Sequence, residues 1–208
     1  MPRKIFNFQP GEIFHVSNIG NTGEEIFSSR ENYEFFLRKF SDCTGNIFEI
    51  VGYCLIPNQY HLLVAVKSIE SIYTAYSLRK RIPVKMVDLD EDEISIFLSQ
   101  EVANVLNSYA KAYNRCYGRK GSLFRENFRK QPIREEELEC IIAQFEYMPV
   151  NQGIVDIWED WDYVSAKEKI DRKMGVIDWV KYGRFYADFK SVESKDDIKT
   201  NSVKIAIN

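Results

Sequence analysis

The sequence predicts an α+β fold in which helices pack against an antiparallel sheet. Four short segments have the apolar content or the apolar–polar alternation of strands, and three longer segments repeat apolar residues at helical intervals. The first six of these segments run strand, helix, strand, strand, helix, strand, which is the ferredoxin-like (RRM-like) order. We therefore expect one sheet with helices on one face, followed by a short C-terminal extension.

The first strand and the first helix are the most clearly marked elements. Residues 12–18 alternate apolar and polar side chains, as a half-buried strand does. After a turn, Ser28 and Glu31 stand at the spacing of a capping box, which predicts the start of a helix. Apolar residues then recur at helical intervals up to Gly45, where the helix should end.

Two further strands and an ambiguous stretch come next. Residues 47–56 and 61–66 are apolar enough to be strands, and the pair Pro57-Asn58 favours a turn between them. Residues 67–96 contain a short possible helix, a basic run and the acidic run DLDEDE, which we interpret as a solvated loop.

The second half of the chain predicts two longer helices around a last strand. Residues 97–116 have one apolar face, and residues 127–133 can form the strand. Residues 134–148 should form a helix whose acidic first turn suits the helix dipole, and Pro149 should end it. Another helix is possible around residues 177–188, before a polar tail that we expect to fray.

The composition indicates a soluble, cytoplasmic protein with no membrane partner. No apolar run approaches the ~20 residues that a membrane span needs, and the N-terminus lacks the apolar region of a signal peptide. The four cysteines have no C-x-x-C spacing, so we expect reduced core thiols. Residues 1–170 should form the main domain, and residues 171–208 a partly helical C-terminal extension with a frayed tail. The oligomeric state stays open.

Charge is distributed unevenly along the chain. The 28 Lys and Arg residues stand against 31 Asp and Glu residues, a net charge of −3. Residues 111–134 alone carry +7, so the rest of the chain carries −10. This asymmetry favours a local binding surface for a polyanion on an acidic body, and the alternative is a solvated charged turn. The cations of this segment are Lys111, Arg115, Arg119, Lys120, Arg125, Arg129, Lys130 and Arg134.

Three stretches together resemble one family. They are IFHVSNIGNTGEEIFSSRENYEFFLRKF, VGYCLIPNQYHLLVAV, and a third that runs from SYAKAYNRCYGRKGSLFRENFRKQPI through IIAQFEYMPVNQGIV to DWDYVSAK. They are similar to the REP-associated tyrosine transposases, relatives of the small single-tyrosine transposases of bacterial insertion sequences within the HUH nuclease superfamily. The resemblance covers roughly residues 12–166, and its motifs are specific only in combination.

The resemblance implies a defined chemistry. In the family, two histidines one residue apart on a strand hold Mg²⁺ or Mn²⁺ together with an Asn or Gln from a helix. A tyrosine on that helix then attacks a phosphate of single-stranded DNA and forms a covalent phosphotyrosine. Members recognise hairpins or single-stranded ends, so DNA of this kind is the partner that the resemblance implies.

The sequence departs from the family at three of the four catalytic positions. Gln59 replaces the first histidine and only His61 remains, Gln144 stands at the tyrosine position, and Met148 stands at the amide-ligand position. A glutamine cannot attack a phosphodiester, and a thioether is too soft a ligand for Mg²⁺ or Mn²⁺. The departures imply an inactivated derivative that has lost the family's metal cofactor.

Remaining candidates for chemistry have simpler interpretations. His61 is at most a weak metal ligand, and the alternative is an inert, hydrogen-bonded histidine on the strand. For His15 a core or sheet-face role is the default. Tyr147 is a possible substitute nucleophile, although it faces away from the position of Gln144 on the helix.

The basic segment, residues 111–134, interleaves cations with aromatic residues. This pattern suits a groove that follows a nucleic-acid backbone and stacks unpaired bases. We therefore predict a DNA-binding protein derived from a single-tyrosine transposase. One alternative is an active transposase or single-strand nuclease with a rearranged site, and the other is an interaction module that no longer binds nucleic acid. The DNA-binding candidates are Arg115, Arg119, Lys120, Phe124, Arg125, Arg129 and Lys130.

Overall fold

The computed structural model describes residues 6–171 and 174–186. Its centre is a four-stranded antiparallel sheet in the order β2-β3-β1-β4, which is the ferredoxin-like order. The predicted α+β fold class is thereby confirmed. The strands are β1 (Ile13–Ile19), β2 (Phe48–Ile56), β3 (Gln59–Val66) and β4 (Arg129–Ile133), and the helices are α1 (Arg30–Thr44), α2 (Ile69–Lys80), α3 (Glu91–Cys116), α4 (Leu138–Asn151), α5 (Ser165–Asp171) and α6 (Trp179–Tyr182).

Helices cover both faces of the sheet. Tyr60 and His61 are neighbours on β3, so their side chains point to opposite faces. The Tyr60 ring centre lies 4.9 Å from that of Phe36 on α1, whose ring lies 5.1 Å from Tyr109 on α3. The His61 ring centre instead lies 5.8 Å from that of Phe145 on α4. The expectation of helices on one face is wrong, because β2 and β3 are buried on both sides.

The first residues of α3 account for part of the ambiguous stretch. The second half of the acidic run is not a loop, since Asp90 caps a helix that begins at Glu91, and only residues 88–90 precede that helix. Its carboxylate accepts a hydrogen bond from the Glu93 backbone N–H at 2.8 Å, and the Glu93 carboxylate accepts one from the Asp90 N–H at 3.0 Å. Clustered carboxylates are favourable here because they lie at the positive end of the helix dipole.

Two predicted helix boundaries are also wrong. Helix α1 is capped by Ser29 and Asn32, not by Ser28 and Glu31, and the Asn32 Oδ1 accepts a hydrogen bond from the Ser29 N–H at 3.2 Å. Helix α4 continues through Pro149 to Asn151. A proline near the end of a helix removes only one hydrogen bond, so the last turn survives.

The C-terminal extension packs against the outer edge of β2. One short bridge pairs Ile177 of the extension with Ile50, and another pairs Val164, which precedes the extension, with Cys54. Residues 174–186 contribute buried aromatic side chains to the main core. The part of the predicted 177–188 helix that the structure describes is the short α6 followed by a 3-10 turn, and the predicted frayed tail lies outside the described residues. None of the four cysteines forms a disulfide, but the expectation of core thiols holds only for the buried Cys54, since Cys43 and Cys116 are exposed and Cys140 is half-buried.

Candidate functional site

The segment between α3 and β4, residues 117–128, is called the basic loop here. Its middle is tied to the end of β1, where the Asn21 N–H donates to the Leu123 carbonyl at 2.9 Å and the Arg125 N–H donates to the Ile19 carbonyl at 3.0 Å. Since backbone hydrogen bonds fix the loop to the sheet, its side chains project from a defined position.

The start of the basic loop is tied to the last turns of α3. The Asn114 side-chain amide donates to the Gly121 carbonyl at 2.9 Å, and the Asn114 backbone carbonyl accepts from the Arg119 N–H at 2.8 Å. The end of α3 and the basic loop therefore form one connected surface.

Three of the predicted DNA-binding cations are exposed on this surface. Arg115 lies in the last turn of α3, and Lys120 and Arg125 lie on the basic loop. Within the described residues, no acidic side chain forms an ion pair with any of the three. These cations are the part of the segment that remains available to a polyanion.

Two other predicted cations are already paired. Arg119 forms an ion pair with Glu24, and Arg129 forms one with Glu126 at 3.3 Å. Sequence reasoning considered the net charge of the segment and missed Glu24, which lies on a different turn of the chain.

Lys130 is held by contacts within the fold. Its ammonium donates to the hydroxyls of Ser99 at 2.7 Å and Ser95 at 3.2 Å, and it lies 4.3 Å from the centre of the Phe8 ring. Burial lowers the pKa of Lys130 to about 8. These contacts tie β4 to α3 and leave the ammonium little access to a phosphate.

Phe124 faces the core. It is 8% exposed, and its ring centre lies 6.0 Å from that of Tyr60 and 6.4 Å from that of Tyr109. Its predicted role as a stacking surface for a base does not fit this burial. The aromatic residue anchors the basic loop, because the loop must fold back over the sheet to bury it.

The surviving histidine of the transposase-like motif lies under α4. His61 is 3% exposed, and its Nδ1 is hydrogen-bonded to the Nε2 of His15 at 2.9 Å. Both rings lie against Phe145, at 5.8 Å from His61 and 5.4 Å from His15. The sequence marked His61, but its pairing with His15 depends on the register of β1 against β3.

Burial keeps this histidine pair neutral. It lowers the pKa of His15 to about 4, and together with the neighbouring His15 it lowers the pKa of His61 well below 6.5. The buried Nε2 of His61 has no hydrogen-bond partner among the described residues.

The other three motif positions supply a poor donor set for a hard cation. Gln59 begins β3 and is partly buried, Met148 is buried in α4, and the Gln144 amide donates to the sulfur of Cys140 at 3.4 Å. One imidazole with an amide and a thioether does not fit Mg²⁺ or Mn²⁺, which prefer oxygen ligands. No three or more His, Cys, Asp or Glu side chains of the described residues are grouped to hold a metal.

A buried carboxyl group on α4 was missed by sequence reasoning. Glu146 is fully buried, and its Oε1 accepts hydrogen bonds from the Ala166 N–H at 3.0 Å and the Ser165 hydroxyl at 3.3 Å. Burial raises the pKa of Glu146 to about 8. The signal available in the sequence was a glutamate directly after Phe145 in an apolar helix.

A cavity of about 630 Å³ lies along the edge of β4, lined by residues between 6 and 13 and between 131 and 137, away from the transposase-like positions. Among the described residues, no helix has the length and apolar character needed to cross a membrane.

Comparison with known proteins supports the fold. No protein-family model matches the sequence, and no curated protein matches it. The structure is similar to that of a REP-associated tyrosine transposase bound to a REP hairpin, with a TM-score of 0.55 over 85% of this chain and 87% of that chain. The two sequences are 14% identical, so the likeness defines the class of fold.

Proposed function

We propose that this protein binds DNA through the basic loop and the end of α3, and that it does not cleave the DNA it binds. The observation that carries the proposal is a group of exposed cations, with Arg115 in the last turn of α3 and Lys120 and Arg125 on a loop that is fixed to the sheet. Single-stranded or hairpin DNA is the proposed ligand, since the transposase of similar fold was solved with a REP hairpin.

The local charge supports this proposal more strongly than the net charge. Between Glu101 and Glu126 the chain has no acidic residue, although it has 31 in total. The acidic turn 135–137 forms its ion pairs with Arg134 and Arg184. It therefore does not neutralise the exposed cations of the basic loop, and these remain able to contact phosphates.

The absence of cleavage is proposed from the residues at the motif positions. Gln144 has no nucleophilic oxygen, and it is hydrogen-bonded within its own helix. His61 is buried against α4 and bonded to His15, while Met148 supplies no hard ligand. The chain therefore lacks the parts needed to form and stabilise a covalent phosphotyrosine at this position.

Binding is tested by fluorescence anisotropy with labelled single-stranded and hairpin oligonucleotides at several salt concentrations. If about four phosphates are contacted, the logarithm of the binding constant should fall with log salt with a slope of about −3. Arg125→Ala and Lys120→Ala should each weaken binding and flatten the slope by about 0.7. Lys85→Ala is the matched control, because it removes an exposed cation just before the start of α3, the helix end opposite Arg115.

A second candidate function is a protein-interaction module, favoured by the pairing of Arg119 and Arg129 with acidic side chains. If the native protein shows no binding at low salt, the DNA-binding proposal is wrong and this candidate takes its place.

Cleavage is tested by incubating the same oligonucleotides with the protein in Mg²⁺ or Mn²⁺. We expect neither a shortened product nor a protein–DNA adduct that survives denaturation. If an adduct forms, Tyr147→Phe decides whether the partly buried Tyr147 serves as a rearranged nucleophile.

A further inference from the structure

Arg119 is held in place before any ligand arrives. Its Nη1 donates to the Oδ1 of Asn114 at 3.0 Å, and the guanidinium carbon lies 5.8 Å from the centre of the Tyr113 ring. The Arg119 backbone N–H also donates to the Asn114 carbonyl. A guanidinium fixed on two sides loses little further freedom when it binds an anion, so it is a prepared anion site.

The remaining side of this guanidinium faces Glu24. The Arg119 Nη2 donates to the Glu24 carboxylate, and the Glu24 side chain is 48% exposed against 23% for Arg119. The acidic partner is therefore the more solvated member of the pair. It can leave the guanidinium without opening the core.

The backbone around Glu24 keeps the carboxylate close to the basic loop. The Asn21 N–H donates to the Leu123 carbonyl at 2.9 Å. The turn is closed so tightly that a Cβ at Gly20 would come within 1.9 Å of the Glu24 carbonyl oxygen. After the turn, the Ile26 N–H donates to the Pro57 carbonyl at 2.7 Å. Because the backbone is held on both sides of Glu24, its carboxylate is present at Arg119 at a high effective concentration.

We infer that the Glu24 carboxylate occupies the place of a nucleic-acid phosphate on Arg119, so that the protein blocks one of its own phosphate sites. The inference rests on the proposed DNA-binding function. Carboxylates and phosphates are recognised by the same fork of guanidinium N–H groups. A phosphate at Arg119 must therefore displace Glu24, and this internal competitor lowers the affinity of the basic loop for a polyanion.

The test measures the binding of labelled oligothymidylate to five proteins, which are the native chain, Glu24→Ala, Glu25→Ala, Arg119→Ala and Glu24→Ala combined with Arg119→Ala. Glu25 is the matched control, since it is the adjacent exposed acid and removes the same charge without touching Arg119. Glu24→Ala should tighten binding by about three- to tenfold at low salt, and Glu25→Ala by clearly less. The salt slope of Glu24→Ala should steepen by about 0.7, the equivalent of one phosphate contact.

The double variant separates competition from a general charge effect. Once Arg119 is absent, removal of Glu24 should bring no gain over Arg119→Ala alone. If Arg119→Ala does not fold, Arg119→Gln replaces it, because a glutamine amide can still donate to Asn114 but carries no charge to pair with Glu24 or a phosphate.

The possible outcomes separate this inference from the proposed function. If the native protein binds but Glu24→Ala and Glu25→Ala strengthen binding equally, the inference is wrong and the proposed function stands. If none of the proteins binds at low salt, the proposed function is wrong and the inference falls with it.

Discussion

The two histidines of the chain form a pair inside the sheet, where each is kept neutral by burial. His15 on β1 and His61 on β3 share one hydrogen bond of 2.9 Å. A protonated imidazole in this position would lose its hydration without gaining a carboxylate partner. The pair therefore stabilises the fold only while both rings are uncharged.

This pairing predicts a loss of stability in acid. The unfolded histidines titrate near 6.5, whereas burial lowers the pKa of His15 in the fold to about 4 and that of His61 well below 6.5. The unfolded chain thus binds more protons between these values, and stability falls as the pH drops from about 6.5 to about 4, by about 1 kcal/mol per pH unit for each histidine.

Urea denaturation across this range checks the prediction. His15→Leu combined with His61→Leu should remove the corresponding part of the acid sensitivity. His15→Leu alone should retain about half of it and cost about 1–3 kcal/mol at neutral pH, since the Nδ1 of His61 then lacks its partner. A double variant with the native pH dependence would contradict this account.

Glu146 should affect stability in the opposite direction, so that stability falls as the pH rises. Its pKa is about 8 in the fold and near 4.5 in the unfolded chain, so the buried carboxyl is protonated at neutral pH. The stability that this group contributes is fully present below about 4.5 and is lost as the pH rises to about 8, at about 1 kcal/mol per pH unit.

The stability of Glu146→Gln should depend less on pH than that of the native chain between about pH 6 and about pH 8, because glutamine resembles the neutral acid. Glu139→Gln is the control, since it changes an exposed acid of the same helix. Equal changes in both variants would show that net charge, not burial, is responsible.

At the scale of elements, α3 joins the acidic and basic ends of the molecule. It begins among Asp90 and three acidic residues and ends at Arg115 next to the basic loop, about 39 Å away for 26 residues. Each cluster lies at the helix end whose dipole it complements. The basic half of this pattern was visible in the sequence as a segment. The acidic half was also visible, as the run DLDEDE, but its helical position was not, because carboxylates in a helix cap look the same in sequence as carboxylates in a loop.

The contribution of the α3 capping box to stability can be measured. Asp90→Ala removes the acceptor for the Glu93 N–H and should destabilise the protein by about 1 kcal/mol. Asp88→Ala removes the same charge from an exposed position before the helix and should have a smaller effect. Urea denaturation at fixed pH compares the two, and equal losses would indicate that the cap contributes nothing beyond charge.

Element order was predictable where a single segment contains its own signal. Each such signal lies within one short stretch of sequence. Examples are the alternation in β1, the apolar runs of β2 and β3 and the helical repeat of α1. The face on which α4 packs was not predictable, since it depends on β3 being buried on both sides. The continuation of α4 past Pro149 was also missed, because a proline costs little in a final turn.

At the scale of the whole molecule, the transposase-like site and the basic loop each depend on a contact between distant parts of the chain. His15 and His61 are 46 residues apart, and Glu24 and Arg119 are 95 residues apart. The sequence predicted the residue types on each side of these contacts. It contained no sign of which cations are neutralised, because charge pairing across a fold depends on register and loop closure.

The packing of α4 on β3 also allows a test of the transposase-like alignment. Residues 59 and 61 share one face of a strand, and position 148 lies on the helix that covers His61. The Nδ1 of His61 is bonded to His15, as the second nitrogen of a metal-binding histidine usually is to a neighbouring group. The Nε2 of His61 has no hydrogen-bond partner in the part of the chain that the structure describes.

Gln59→His combined with Met148→Asn should therefore create weak Mn²⁺ binding, measurable by calorimetry and as a rise in melting temperature with Mn²⁺. Gln59→His combined with Met148→Leu is the control, because it changes the same positions without an amide ligand. The affinity should stay weak, since the supporting contacts around the new ligands are not those of a metal site. If the His/Asn variant folds but gains no Mn²⁺ affinity over the control, positions 59, 61 and 148 do not converge. The transposase-like site is then misplaced, while DNA binding by the basic loop, which uses none of these residues, is unaffected.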